Sequence, residues 1–378
     1  MTFTGTTASG ETVAYRDGKR HLWMLSFIPP LVPLISFWIY LRTGNAAATL
    51  GPFLFVFGLI PLLDAVFGED RHNPPAEVVA AMEADPYYLR LARASVPLLW
   101  VSFVSTVAFV GTQELPWWSY LALVLGVGTI DGGALLVGHE LGHKPDRLNR
   151  LFGLLANNIV GYAHFRIEHN RGHHTWVATP EDPASARFGE SIYAFAAREL
   201  PGVFARGWRN EAERLARRGK PVWSSENEIL LGFALTLAVA TGLTALFGWK
   251  VLPFIVAHHF IGWYALTQAN YVEHYGLLRE QGPGARYQPV EPRHSWNTNH
   301  IVSNLMTFHL QRHSDHHANP MRPYQSLRDF DDLPRLPSGY PGMFVLAAIA
   351  PLWFGVMDAK TLAWVGGDAT KLNLGYKV

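Results

Sequence analysis

The sequence predicts an all-α, polytopic membrane protein: six transmembrane helices with a helical cytoplasmic cap that carries a metal site. Three observations lead there. Several runs of about 20 residues are nearly free of charge, the length a helix needs to cross a bilayer. Charged residues are only 16% of the 378, while aromatics reach 13% with 13 Trp, the ring types that collect at membrane interfaces. Lys and Arg gather in alternate connections between the apolar runs, as the positive-inside rule requires.

The first span covers about 22–41; Pro29, Pro30 and Pro33 predict a kink there rather than a break. The second covers about 46–67, the third about 95–112, and the fourth about 116–138, interrupted only by Asp131. The fifth and sixth cover about 229–249 and 251–272. Arg16, Lys19 and Arg20 precede the first span. Arg71, Arg90 and Arg93 separate the second from the third, and Lys144, Arg147 and Arg150 follow the fourth. The opposite loops carry little beyond Arg42 and Lys250, so both termini are expected in the cytoplasm. A further apolar run at 341–358 is broken by Pro351 and reads as a buried or interfacial helix. The segments 139–228 and 273–378 would form the cap, and 1–378 one membrane-embedded catalytic domain. The polar first 20 or so residues lack the apolar core of a signal peptide.

Composition narrows the chemistry. A net charge of 31 − 30 = +1 gives no reason to expect a nucleic-acid partner. With no Cys, disulfides, thiolate zinc sites, iron–sulfur clusters and thiol nucleophiles are excluded. A metal must be held by His, Asp or Glu, and there are 17 His.

Nine of them fall in four clusters: His139 and His143 in HELGH, His169, His173 and His174 in EHNRGHH, His274 in NYVEHYGL, and His313, His316 and His317 in QRHSDHH. On a helix, residues three or four apart share a face, so such imidazoles can reach one ion. Adjacent residues diverge by about 100°, so the doublets His173–His174 and His316–His317 point toward two different ions. The fourth and sixth spans both run inward and end beside a cluster, which brings all nine to one membrane face. A lone His is more often an ordinary polar residue, the reading kept for His21, His72, His164, His258, His259, His294, His300 and His309. Of these, His164, His300 and His309 sit near the clusters as candidate donors to ligands. Zinc competes for HELGH with Glu140 as base. Nine His, however, far exceed the three protein ligands of a catalytic zinc, and imidazole suits iron with positions open to O2.

Carboxylates should offset the metal charge by accepting the outer N–H of ligands. Glu140, Glu168, Glu273 and Asp315 adjoin ligands, and Asp64 and Asp131 lie in or near spans. Helix spacing nominates Gly132 and Leu135, above His139, and Thr267 and Asn270, above His274, as walls of a tunnel. Arg214, Arg217, Arg218 and Lys220 form a basic stretch suited to an acidic electron donor.

HELGHK, EHNRGHH, NYVEHYGLLR and LQRHSDHHA resemble the four His motifs of membrane alkane 1-monooxygenases, within the fatty-acid desaturase and hydroxylase superfamily. The resemblance extends through GEDRHNPPAE, VATPEDPASAR, GESIYAF, HSWNTNHIVSNL and YQSLRDFDDLP, and the ninth His, His274, is what narrows it. It implies two non-haem Fe ions held by the nine His, with O2 as co-substrate. The implied reaction is terminal hydroxylation of medium-chain n-alkanes taken from the bilayer. It also implies electrons from rubredoxin, recharged by an NADH-dependent reductase, and a bacterial inner-membrane location with the site facing the cytoplasm. Rubredoxin needs four Cys, so it must be a separate protein or domain. The alternatives are a membrane desaturase or aryl-methyl hydroxylase with the same irons, or, from another class, a metal-ion transporter.

Overall fold

The computed structural model describes residues 1–375. After a small antiparallel hairpin, β1 (Thr2–Thr6) and β2 (Thr12–Arg16), with Thr2 opposite Arg16, the chain is helical. Among the described residues five helices are long and apolar enough to cross a membrane: α1 (Leu22–Thr43), α2 (Ala46–Phe67), α3 (Pro86–Thr112), α4 (Trp117–Gly142) and, after the cap, Glu228–Phe247. The cap between them contains α5 (Arg147–Asn158) and α6 (Ile192–Ala216), so the fifth span is α7. The sixth expected span is a single 24-residue helix, α8 (Val251–His274), about 36 Å long. His258, His259, Gln268, Asn270 and Glu273 lower its apolar content below that of the other five. It is also largely enclosed, packed against α4, α6 and α7.

Two boundaries differ from the sequence reading. The third helix starts at Pro86, nine residues before the apolar run, because Asp85 caps it and its first turns rest on the cap. The fourth breaks at Gly133 and then continues to Gly142, so His139 lies within the helix rather than beyond it. The run at 341–358 is two helices, α10 (Tyr340–Ala348) and α11 (Ala350–Trp364), after the short α9 (His313–Ala318); α10 and α11 are bent by 119° at Ile349. It makes no single straight crossing. α10 packs against α8 with Tyr340, Met343 and Ala347 buried.

α4 and α8 approach closely enough to decide one residue. A Cβ on Gly132 would stand 3.0 Å from the Ala265 Cβ and 3.0 Å from the Gly262 carbonyl, so only glycine fits without a shift.

Candidate metal centre

All nine clustered His converge, in two groups. His139, His143, His169, His174 and His316 form the first; His173, His274, His313 and His317 form the second; within each, the candidate ligand nitrogens lie within 4.8 Å of one another. Each doublet splits between the groups. The Nε2 atoms carry the convergence: His139 to His316 is 2.8 Å, His169 to His174 3.0 Å, His174 to His316 3.2 Å, and His313 to His317 2.8 Å. The Nε2 atoms of His143, His173 and His274 are buried with no hydrogen-bond partner. Imidazoles meeting nitrogen to nitrogen, with buried nitrogens left over, fit a divalent or trivalent cation at each focus.

Local backbone sets who shares a group, and simple helical spacing does not. His139 and His143 pair four apart, as do His313 and His317, but His313 and His316, three apart, separate. From His169 to His173 the helix widens to i→i+5 bonding, so His174, not His173, stands one turn after His169. His173 is thereby freed to enter the second group. Gly172 inside that turn is required by packing: a Cβ there would meet Arg206 Nε at 2.5 Å and Glu168 Oε1 at 2.8 Å.

HELGH spells H-E-x-x-H and also contains Glu-x-x-His, so its letters alone do not separate it from zinc hydrolases or soluble di-iron bundles. Geometry does, because the Glu140 carboxylate pairs with Lys144 at 3.3 Å. The other nominated carboxylates divide similarly. Asp315 accepts from Arg322 at 2.6 Å and from the Arg328 amide at 2.9 Å, Asp64 from the Ser303 amide at 2.9 Å, and Glu168 from Arg206 Nε at 2.7 Å. Asp131 lies 3.0 Å from His258 Nε2, deep between α4 and α8 and away from the nine. None of these five takes the outer nitrogen of a clustered His. Glu273 touches one from the other side: its Oε2 is 3.2 Å from His313 Nε2, in the space the second group encloses, while Oε1 accepts from the Tyr340 hydroxyl at 2.8 Å.

The carboxylate that does accept an outer N–H is Asp182, 2.8 Å from His173 Nδ1. It also accepts from Ser185 Oγ at 2.7 Å and Arg206 Nη2 at 2.7 Å. Burial alone would raise its carboxyl, but His173 and Arg206 beside it hold it well below the usual range. Asp182 follows His173 by nine residues in an irregular segment, where no periodicity points at it. His274 Nδ1 is fixed by the backbone instead, 3.3 Å from the His294 carbonyl. His164, His300 and His309 donate to no clustered His. His309 Nδ1 sits 3.1 Å from the Tyr324 carbonyl, and His300 Nδ1 2.7 Å from Thr298 Oγ1.

The tunnel walls also need revision. A narrow apolar cavity of about 120 Å³ runs between α1, α2, α3, α4, α8 and α10, lined by Pro30, Ile60, Leu99, Gly132, Ala269 and Phe344 among others. A smaller recess lined by Leu136, His139, Thr307, Phe308, Leu310 and His316 adjoins it beside the first group. Gly132 is on the wall; Leu135, Thr267 and Asn270 are not. Leu135 faces the protein core, and Thr267 and Asn270 turn to Glu199. The phase is off by one residue, since Leu136, Ala265, Leu266 and Ala269 supply the face instead. The basic stretch proves to be internally paired: Arg214 with Glu211 at 2.6 Å, Arg217 with Glu213 at 3.8 Å, and Arg218 and Lys220 with Glu226 at 3.6 and 3.0 Å.

Residues 115–347 match the fatty acid desaturase family. The alkane 1-monooxygenase of Ectopseudomonas oleovorans is 50% identical over 95% of this chain and 90% of its own length. Alkane 1-monooxygenase 1 of Alcanivorax borkumensis is 48% identical over 97% and 91%. The hydroxylase component of xylene/toluene monooxygenase from Pseudomonas putida is 30% identical over 64% and 63%. Identity of this order along nearly the whole chain, with nine His in two buried groups at the end of an apolar cavity, places this protein: it belongs to the alkane 1-monooxygenases of the fatty acid desaturase superfamily.

Proposed function

We propose that the chain hydroxylates the terminal methyl of medium-chain n-alkanes, R–CH3 + O2 + 2e⁻ + 2H⁺ → R–CH2OH + H2O, at two irons, one in each His group. The observation that carries this reading is that the apolar cavity and the recess at His139 and His316 share Leu136, Thr307, Phe308 and Leu310 as walls. Bound there, the irons would activate O2 for insertion into a C–H bond. The nine His would hold them, with Asp182 fixing the His173 tautomer.

The chain's own contribution is to bind, aim and keep water out. An alkane has no polar handle, so the cavity holds it by burial, at about 0.8 kcal/mol per CH2. Leu136, Thr307, Phe308 and Leu310 belong to both the cavity and the recess and so form the neck between them. Phe308 and His309 hold left-handed φ values of 51° and 53°, unusual for side-chain-bearing residues, which fixes the neck at one geometry. A chain threading that neck presents its end, which supports attack at the terminal carbon. Replacing Leu136 with Phe is expected to overfill the neck, at about 1–3 kcal/mol, and cut alkanol formation roughly tenfold at unchanged iron content. Gas chromatography of products beside metal analysis reads both.

The clustered imidazoles outside the spans are held neutral, ready to ligate: burial, then repulsion from neighbouring rings, pushes His143 down to about 2 and His169, His174, His313, His316 and His317 well below their ordinary value. His173 is the exception, raised by Asp182 against the opposing effect of burial. For the lowered groups, the unfolded chain takes up protons below 6.5 that the folded one refuses. Stability and iron retention should therefore be level above that pH and decline as it falls further. Dialysis at graded pH followed by metal analysis checks the sign.

We further propose that the active site faces the cytoplasm of a bacterial inner membrane, that the whole chain works as one membrane-embedded catalytic domain, and that rubredoxin, reduced through an NADH-dependent reductase, is the donor. The sorting of basic residues supports the orientation. Turnover of iron-reconstituted protein with n-alkanes of graded length, rubredoxin and reductase tests the reading. One 1-alkanol per electron pair is expected. Oxidation of xylene or desaturation of an acyl thioester instead, or no alkanol from protein holding two irons, overturns it.

A further inference from the structure

Thr267 and Asn270 turn away from the cavity because they hold a buried carboxyl. Glu199, on α6 and 1% exposed, accepts from the Thr267 hydroxyl at 2.8 Å through Oε2 and from the Asn270 amide at 3.0 Å through Oε1. Asn270 stands one turn before His274 on α8. Close to Glu199 lie Glu168, Asp182 and Tyr162. Arg206, two turns along the same helix, donates to both Glu168 and Asp182, and Asp182 meets His173 of the second His group. The block thus holds three buried carboxyls against one guanidinium. Four of its polar atoms are buried without any protein partner: the Tyr162 hydroxyl, both ring nitrogens of His164 and Arg206 Nη1. Buried polar atoms of this kind are ordinarily satisfied by water, and waters on them would link the surroundings of Glu199 to the second group.

We propose that Glu199 is the proton-holding residue of this enzyme, storing one of the two protons that O2-dependent hydroxylation consumes and delivering it through this block toward the His173 side of the metal centre. The inference rests on the hydroxylase reading above. Glu168 and Asp182 are each tied to Arg206 and serve poorly as stores; Glu199 touches no cation. Its partner Thr267 can donate to the carboxylate and accept from the carboxylic acid, so both protonation states are accommodated without rearrangement. Burial raises the carboxyl, the bonds from Thr267 and Asn270 oppose this, and Glu168 and Asp182 raise it again, leaving it at about 7. Three carboxyls and one guanidinium also bind a proton more tightly when the nearby cation charge falls, so an arriving electron draws a proton inward. The proton leaves Glu199 for the oxygen that departs as water, the donor protein supplies the electrons, and cytoplasmic water recharges the carboxylate. Glu199 meets no reacting atom; it acts through what lies between.

The test compares wild type with Glu199→Gln, which keeps shape but holds no exchangeable acid, and Thr267→Val, which keeps the acid but removes a bond to its charged form. The first readout needs no turnover: the infrared C=O band of a buried carboxylic acid, followed against pH in metal-free and iron-loaded protein. Wild type should show a band titrating near neutrality. The wild-type minus Glu199→Gln difference should isolate one such band, and that band should lie about one pH unit higher in Thr267→Val. In iron-loaded protein, Glu199→Gln should lower kcat about a hundredfold, abolish the near-neutral limb of its pH profile, and leave iron content and alkane KM within twofold of wild type. A Glu199→Gln protein with two irons and the wild-type pH profile overturns the proposal, as does a wild-type minus Glu199→Gln difference that contains no band titrating near neutrality. Wild type that shows the titrating band but forms no alkanol supports Glu199 as a proton store and removes the hydroxylase reading instead.

Discussion

His174→Ala should bind one iron per chain instead of two and lose at least a hundredfold in activity. His174 belongs to the first group, where its Nε2 stands 3.0 Å from that of His169 and 3.2 Å from that of His316. Its backbone neighbour His173 belongs to the second, anchored independently by Asp182. Truncation therefore removes a ligand from one focus and leaves the four nitrogens of the other. The hundredfold is a floor, because losing even an outer partner of a ligand commonly costs about 10–100-fold. His317→Ala is the mirror case, emptying the second group. His72→Ala is the control, since that side chain is exposed and belongs to neither group, and it should keep both ions. Metal stoichiometry read beside activity decides the matter. If either variant lost both ions together, the two groups would be one cooperative site and the assignment of one ion to each would fall.

Much of this centre is legible in the sequence because its signals are local. Apolar runs report spans without reference to partners, and His doublets report two foci because adjacent side chains on any helix diverge. What lies beyond the sequence is set by choices of backbone between those signals. The widened turn at His169–His173 exchanges His173 for His174, and nothing in the letters EHNRGHH distinguishes that turn from an ordinary α-helix. The only hint is Gly172, placed where Arg206 must approach. Asp182 escapes for a different reason: it reaches His173 from an irregular loop, and loops carry no periodic constraint. Glu199 and Arg206 escape because their partners lie 24 to 71 residues away in the chain, contacts that depend on how α6 lies across its neighbours. The tunnel face shows the limit of spacing arguments most directly. Counting turns back from His274 picks Thr267 and Asn270, yet the apolar face is Ala265, Leu266 and Ala269, one step around the helix. An azimuth counted from one ligand cannot say which side of the helix lines the cavity.

Arg206→Met should be the most destabilising single change in the cap, at about 3–5 kcal/mol. The guanidinium donates from Nε to Glu168 at 2.7 Å and from Nη2 to Asp182 at 2.7 Å, with its side chain 11% exposed and those of Glu168 and Asp182 6% and 0% exposed. Methionine fills much of the same volume, so packing changes little while two buried carboxylates lose their shared cation. Lysine should fare little better, since one point charge cannot serve two carboxylates that a planar fork bridges. Iron at the second group should weaken by about 10–100-fold, because Asp182 would no longer be oriented against His173, while the first group should be nearly unaffected. Thermal unfolding in detergent and iron titration measure the two effects separately. Adding Glu168→Gln to Arg206→Met removes one of the stranded charges, so the double variant should regain part of the lost stability over Arg206→Met alone. If the two changes instead added as independent losses, the carboxylates would not depend on Arg206 for their charge balance, and the block would have to be held together by packing alone.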